Sequence, residues 1–494
     1  MPPVVQSDDA QQVHVSIVGV ERVVVSWASP NRIAGMLFIE EVDDEGQPVP
    51  DTLLSLRPNS TEYALQSTDG SGPYGALGIY HSPLLLHCDV PIKPRAKYRY
   101  RIATSVKSSP SAGRDSEAAG WRRFQTPPGP GAEQSLRLAV VGDLGQTNFS
   151  QATCRSIRSR HEEEAFDAAI LLGDLAYADG YQDRWDSFGR MFEDFGCADL
   201  PWLVFPGNHE IDLDNLTGEA FIPYRHRWRT PTVAPESVGN FTVHSWLTYD
   251  FSGRYDFGGS FYSISLGPAH FIVLNPYTDA GEDSPQISWL REELQRVNRS
   301  ATPYLIVLTH APWRHSSAKH QPSVEFATQR LKEAAEPLVL AAGADLFFSG
   351  HVHAYERMKP VGGMRNFVVG HGGNQEELYN EWTPNTQSEF HDGTQYGWGE
   401  LQLDAENTSH YTAWASMEHA KVDFVLLAAD ASSRDSDFLP VGSEALPALL
   451  LLLFLLAATG CGMASWSQWQ RRRSRLLGSR RQKSFSEQAR VLGA

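Results

Sequence analysis

Five separated stretches of this sequence close on the same kind of residue. Gly142-Asp143-Leu144-Gly145, Gly173-Asp174-Leu175-Ala176-Tyr177, Gly207-Asn208-His209-Glu210, the run ending at His310, and Gly350-His351-Val352-His353 each follow a short apolar segment. Asp143, Asp174, Tyr177, Asn208, His310, His351 and His353 offer oxygen and imidazole donors with no thiolate, a set suited to iron, manganese or zinc. Seven donors are too many for one ion. They suit two ions a few ångströms apart that share a carboxylate. Taken singly, a Gly-Asp is commonly a turn, a tyrosine packing, and a histidine a satisfied core residue. Five such endings in order, each behind an apolar run, make coincidence a poor account.

The elements that must position them are short strands alternating with helices. Apolar runs at 136–141, 168–172, 202–205, 271–274, 304–308 and 346–348 alternate with helical patterns at 149–161, 284–297 and 329–342. This grammar predicts an α/β sheet covered on both faces, and ligands in such sheets bind beyond the carboxyl ends of the strands. Residues 211–260 show no clear periodicity; a loop of that length is expected to wall a site. Upstream, residues 11–127 read as strands separated by Gly, Pro, Asn and Asp clusters, an antiparallel β-sandwich. The Pro- and Gly-rich stretch that begins at Pro127 marks a linker, which leaves 136–420 as the catalytic domain.

Composition narrows the classes. A chain of 494 residues holds two to four domains at roughly 100–200 residues each. Its net charge of −17 argues against a nucleic-acid partner, and 13 Trp in a 41% hydrophobic chain argue against disorder. Four cysteines, Cys88, Cys154, Cys197 and Cys461, are too few for a disulfide scaffold, although Cys154 and Cys197 could pair in an oxidising lumen.

The charge is unevenly spread. From Ser465 onward eight basic residues meet one acidic residue, a net +7, so the preceding residues carry −24. Residues 445–464 hold no charge; at about 1.5 Å per residue they reach roughly 30 Å, one bilayer core. We expect a juxtamembrane linker at 421–444, a transmembrane helix at 445–465 and a basic cytoplasmic tail at 466–494, with Trp466 and Trp469 at the interface. Sequons at Asn59, Asn148, Asn215, Asn240, Asn298 and Asn407 all precede the span and fit a glycosylated lumenal or extracellular body. No signal peptide is visible at the start, and the sequons favour a start that is missing over a tail anchor.

The ordered blocks resemble the five-block signature of the purple acid phosphatases, within the calcineurin-like metallophosphoesterases. Residues 221–228, 286–290, 297–300, 310–313, 354–357 and 372–374 are similar to the plant-type, two-domain branch, and the resemblance covers about residues 11–420. It implies a fibronectin-III-like β-sandwich followed by an α/β domain of βαβαβ units in four α/β/β/α layers. It further implies a ferric ion on Asp143, Asp174, Tyr177 and His353, and a divalent ion (zinc, manganese or iron) on Asp174, Asn208, His310 and His351. Asp174 would bridge them. His209 would contact the phosphate with Asn208 and protonate the leaving alcohol. Where the branch commonly shows a histidine pair, this sequence has Lys319 and His320; His320 is expected to face the phosphate, with His315 as its competitor and Lys319 as a substitute charge. The family's Gly-Asp-Gly-Gly-Asn reads Gly370-His371-Gly372-Gly373-Asn374 here.

The implied function is hydrolysis of small phosphate monoesters at acid pH by a metal-bound hydroxide. The alternatives are a phosphodiesterase or nucleotide pyrophosphatase on the same site, and a non-catalytic membrane receptor with a degenerate domain. The expected partners are phosphate esters and the membrane, not nucleic acid; a homodimer is allowed.

Overall fold

The structure is a computed structural model. It describes residues 10–427, less 69–75, 105–119, 215, 236–238, 245–249, 256–257, 322–324, 385 and 405–408. The expected membrane span, most of the linker and the basic tail lie outside the described residues, as do Asn215 and Asn407. The linker expected from 421 instead begins as strand Ala420–Leu426, whose pairing with His410–Ala415 extends the catalytic sheet past 420. Among the described residues no helix is long and apolar enough to cross a membrane.

Two sheets form the centre. The first runs in the order Ala420–Leu426, His410–Ala415, Gly397–Leu403, Leu136–Val141, Ala168–Leu171, Pro201–Val204, Gln11–Gly19, Arg22–Ser29, Leu84–Pro91 and Asn59–Thr61. The second runs Tyr262–Leu266, Ala269–Leu274, Tyr304–Thr309, Leu346–Ser349, Arg365–Val369, Tyr355–Met358 and Ser388–Asp392. Strand alternation divides their side chains between two cores. Leu136, Leu138 and Val140 point into a core shared with Phe271, Val273, Ile306 and Leu308 of the second sheet. Ala139 and Val141 point the other way, toward Ile157 of helix Asn148–Glu163. Ile272, Val307 and Phe347 likewise face Ile287 and Leu331 of helices Pro285–Arg296 and Phe326–Ala341. Helices thus cover both outer faces, and burial on two sides explains why these strands read as unbroken apolar runs.

The N-terminal strands are sheet-rich as expected. Gln11–Gly19, Arg22–Ser29 and Leu84–Pro91 pack on the four-stranded sheet of Arg122–Gln125, Lys97–Ala103, Met36–Val42 and Leu54–Leu56 around Val15, Val25, Leu37, Tyr100 and Phe124. The division at the linker is not a break in the sheet, however. Gln11–Gly19 pairs in parallel with Pro201–Val204, Val15 opposite Pro201 and Ser16 opposite Trp202. The ten-stranded sheet therefore crosses from the N-terminal sandwich into the catalytic half.

Two segments carry more structure than the sequence suggested. Residues 211–260 contain helix Ile222–Arg227 and a hairpin of Gly239–His244 with Asp250–Tyr255. Helix Asp183–Asp194 buries Trp185, Phe188, Met191 and Phe192 on one face. Cys154 and Cys197 are buried free thiols in hydrogen-bonding contact.

Candidate metal centre

The candidate donors stand where strands of both sheets end. Asp143 follows Leu136–Val141, Asp174 and Tyr177 follow Ala168–Leu171, and Asn208 follows Pro201–Val204, all in the first sheet. His310 follows Tyr304–Thr309, and His351 and His353 follow Leu346–Ser349, in the second. The backbone bends hard to present them. Asp143, Asp174, Tyr177 and His351 have φ of 57°, 51°, 49° and 67°, the left-handed region that L-residues rarely occupy. Such strain persists only where the surroundings over-determine it, and it gathers at functional sites. The adjoining glycines are required by contact: a Cβ on Gly207 would lie 2.1 Å from Asp174 Oδ1, and one on Gly350 2.3 Å from Asp143 Oδ2.

Hydrogen bonds hold these turns. The buried carboxylate of Glu210 accepts from the amides of Asp174, Leu175 and Gly207, each at 2.8 Å. Thr147 caps helix Asn148–Glu163, and Ser150 Oγ donates to Leu144 O at 2.7 Å, fixing the chain after Asp143. Asn374 Nδ2 donates to Asp143 O at 3.2 Å, so the Gly-Gly-Asn stretch supports the same turn. His371 itself is buried beside the Tyr355 ring, and its Nδ1 has no hydrogen-bond partner among the described residues.

The donor atoms converge in two groups. In the first, His310 Nε2 is 2.9 Å from Asp174 Oδ2 and 3.1 Å from Asn208 Oδ1, while His310 Nδ1 donates to Leu172 O at 2.7 Å. Asp174, His310 and His351 together can offer three ligand atoms within 4.8 Å of one another. In the second, Tyr177 OH is 3.1 Å from both Asp143 Oδ1 and His353 Nε2, and His353 Nδ1 donates to Glu377 O at 3.0 Å. His310 and His353 thus commit one nitrogen to a backbone carbonyl and turn the other into the site, while His351 gives its Nε2 to a carboxylate, both usual postures of a metal-binding histidine. Asp174 lies between the groups, its buried Oδ2 facing His310 Nε2.

The electrostatics call for positive charge. Burial, with Asp174 nearby, pushes the Asp143 carboxyl well above its usual range. Asp174 is held low against its own burial by His310 and His209, and in return Asp174 and Asp143 push His310 up to about 9. Burial next to Asp143 and Asp174 pushes the Tyr177 phenol well above its usual value, so only a strongly acidic cation could bind it deprotonated. The donor set fits two such ions.

The residues expected at the substrate fall on the rim. His209 is not among the converging donors; its ring lies 4.1 Å from that of Tyr177, its Nδ1 bonds Asp179, and its Nε2 is 3.8 Å from Asp174 Oδ2. Burial opposes its charge, but Asp174, Asp179 and Glu376 outweigh that and push it up to about 10. His320 Nδ1 bonds Glu325 Oε1 at 2.8 Å, and its ring lies 4.3 Å from that of His351. His315 is turned inward, Nε2 to His320 O at 2.8 Å, where it supports the His320 backbone. Lys319 extends over Tyr379.

Glu325, Glu210, Asp179, Glu376 and Tyr379 complete the surroundings, and sequence reasoning passed over them. Glu325 sits at the N-cap of helix Phe326–Ala341 but does not cap it. Its Oε1 instead takes His351 Nε2 at 3.0 Å as well as His320, and those histidines hold it low against burial. The only signal in the sequence was a carboxylate five residues after His320.

A calcineurin-like phosphoesterase domain matches residues 136–355, which sets the class: a metallophosphoesterase. The probable purple acid phosphatase 20 of Arabidopsis thaliana is 30% identical over 441 residues, covering 86% of this chain and 89% of its own. The phosphoenolpyruvate phosphatase of Allium cepa is 30% identical over 428 residues, covering 81% and 77%. The solved purple acid phosphatase from yellow lupin seeds matches 85% of this chain and 74% of its own with a TM-score of 0.67 at 20% identity, a likeness of fold. The chain belongs to the purple acid phosphatases, binuclear metal-dependent acid phosphatases that hydrolyse phosphate monoesters.

Proposed function

We propose that Asp143, Asp174, Tyr177 and His353 hold a ferric ion, and Asp174, Asn208, His310 and His351 a zinc, manganese or ferrous ion, in an acid phosphatase working outside the cytosol. The observation that carries this reading is the meeting of His310 Nε2, Asp174 Oδ2 and Asn208 Oδ1, drawn from three strands of two sheets. When bound, the two ions supply Lewis-acid charge against phosphate oxygens and acidify water. The chain's own residues do the rest. Asn208 turns its Oδ1 to His310 and keeps its amide nitrogen for a phosphate oxygen. His209, anchored through Nδ1 on Asp179, keeps Nε2 for the departing alkoxide, to which it gives a proton. His320, braced by Glu325 and His315, donates to the phosphoryl group from the far rim.

We place the basic tail in the cytosol, with residues 445–465 as the anchor. Of the sequons, Asn59, Asn148, Asn240 and Asn298 are exposed, as glycosylation requires. The test is a chain ending near Ser436. It should carry about two metals, absorb visible light through Tyr177 and release phosphate from an aryl monoester faster than from the matching diester. An Asp174→Asn protein with the same metal content and rate would overturn the assignment.

A further inference from the structure

Two loops are zipped together on the rim. Ala318 N donates to Glu381 O and Thr383 N to Ser316 O, both at 2.7 Å, and Ser317 bridges Trp382. Beneath them Glu356 is buried and accepts from Ser316 N at 2.8 Å and from Ser316 Oγ at 2.5 Å. Lys319 therefore leaves the backbone at a fixed point, and its Nζ stands 4.2 Å from the centre of the Tyr379 ring. That ring stacks at 4.4 Å on His353 and at 5.4 Å on His320, and Tyr379 OH is 3.3 Å from His320 Nε2. Lys319 is thus two ring contacts from an imidazole of the metal centre.

Among the described residues the Lys319 ammonium meets no carboxylate and no hydrogen-bond acceptor. The aromatic face restrains it through cation–π attraction while its N–H groups stay available. Acidic groups stand by His209 and His353: Asp179 bonds His209, and Glu376 Oε1 is 3.7 Å from His209 Nε2 with its Oε2 4.0 Å from His353 Nε2. Imidazoles engage those carboxylates, whereas the Lys319 ammonium has no such partner among the described residues and is left to meet a leaving group that bears an anion.

We infer that Lys319, seated on Tyr379, forms a second-anion subsite selecting phosphate monoesters whose alcohol carries a further anionic group, a carboxylate or a second phosphoryl, near the ester oxygen. Tyr379 is the positioning residue. The inference rests on the phosphatase reading above and extends it to the substrate class.

The test compares kcat/KM of the full-length protein, Lys319→Met, Lys319→Arg and Tyr379→Leu on phenyl phosphate, meta-carboxyphenyl phosphate and meta-phenylene bisphosphate. The wild type should favour an anion-bearing substrate over phenyl phosphate. Lys319→Met should lower that preference ratio about fivefold, the scale of a partly exposed ion pair. Lys319→Arg should restore most of it, Tyr379→Leu should lower it as well, and added salt should shrink the difference. A fall confined to the carboxyphenyl ester assigns the subsite to carboxylates, and one confined to the bisphosphate assigns it to a second phosphoryl. Unchanged ratios, or equal losses on all three substrates, overturn the inference. A wild-type protein inactive on phenyl phosphate overturns the phosphatase reading itself.

Discussion

Asp174 Oδ2 and His310 Nε2 stand 2.9 Å apart although each ends a strand of a different sheet. The contact exists only because the two sheets pack face to face and end together, so the site reports on the whole architecture. Asp174→Asn removes the shared charge while keeping the shape. We expect loss of at least one metal per chain and a fall in kcat/KM of about 100-fold or more, measured by elemental analysis and steady-state rates.

Glu325 braces His351 and His320 through one oxygen. Glu325→Ala should weaken metal binding by about 10- to 100-fold, the usual cost of removing an outer partner of a ligating histidine. Metal titration of the stripped protein checks this, with Glu325→Gln expected to recover part of the loss.

His371 supplies a pH dependence of stability apart from the metal ligands. Burial lowers it from 6.5 to about 4 in the folded chain. Between those values the unfolded chain binds the extra proton, so stability is complete above pH 6.5 and drains as pH falls toward 4. The loss amounts to about 3 kcal/mol at the acid end. Urea midpoints at pH 7 and pH 4.5 should differ less in His371→Gln than in the wild type; an equal difference would refute this account.

Glu400 is a buried anion between strands and helix. It accepts from Arg137 Nε at 2.8 Å, Arg160 Nε at 3.2 Å and Trp414 Nε1 at 3.1 Å. Glu400→Ala leaves Arg137 buried without its main partner, and should destabilise the fold by about 3–5 kcal/mol in denaturant unfolding.

The parts legible in the sequence share one physical cause. Strands buried on both faces appear as plain apolar runs, which is how Leu136–Val141 and Tyr304–Thr309 announced themselves, and the strained turns at Asp143, Asp174 and His351 each follow a Gly. Helix Asp183–Asp194 carried its signal too, at Trp185, Phe188, Met191 and Phe192, but Gly189 and four acidic residues blurred it. Glu325 was illegible for a different reason. A carboxylate at a helix start ordinarily serves the helix, and only the return of the chain at His351 gives it another task. The pairing of Val15 with Pro201 was out of reach altogether, because nothing local in either strand names its neighbour.

That pairing has a consequence for any attempt to divide the molecule. The strand Gln11–Gly19 occupies the hydrogen-bonding side of Pro201–Val204, so the N-terminal sandwich ends the catalytic sheet as a cover ends an open seam. Expressed alone, residues 136–427 would bare an apolar strand whose backbone groups seek a new neighbour, and a second copy could supply one. Light scattering should then show self-association of the shortened chain, with a chain that ends near Ser436 and keeps the N-terminal strands remaining dispersed. In this protein the first domain closes a sheet edge as much as it forms a module of its own.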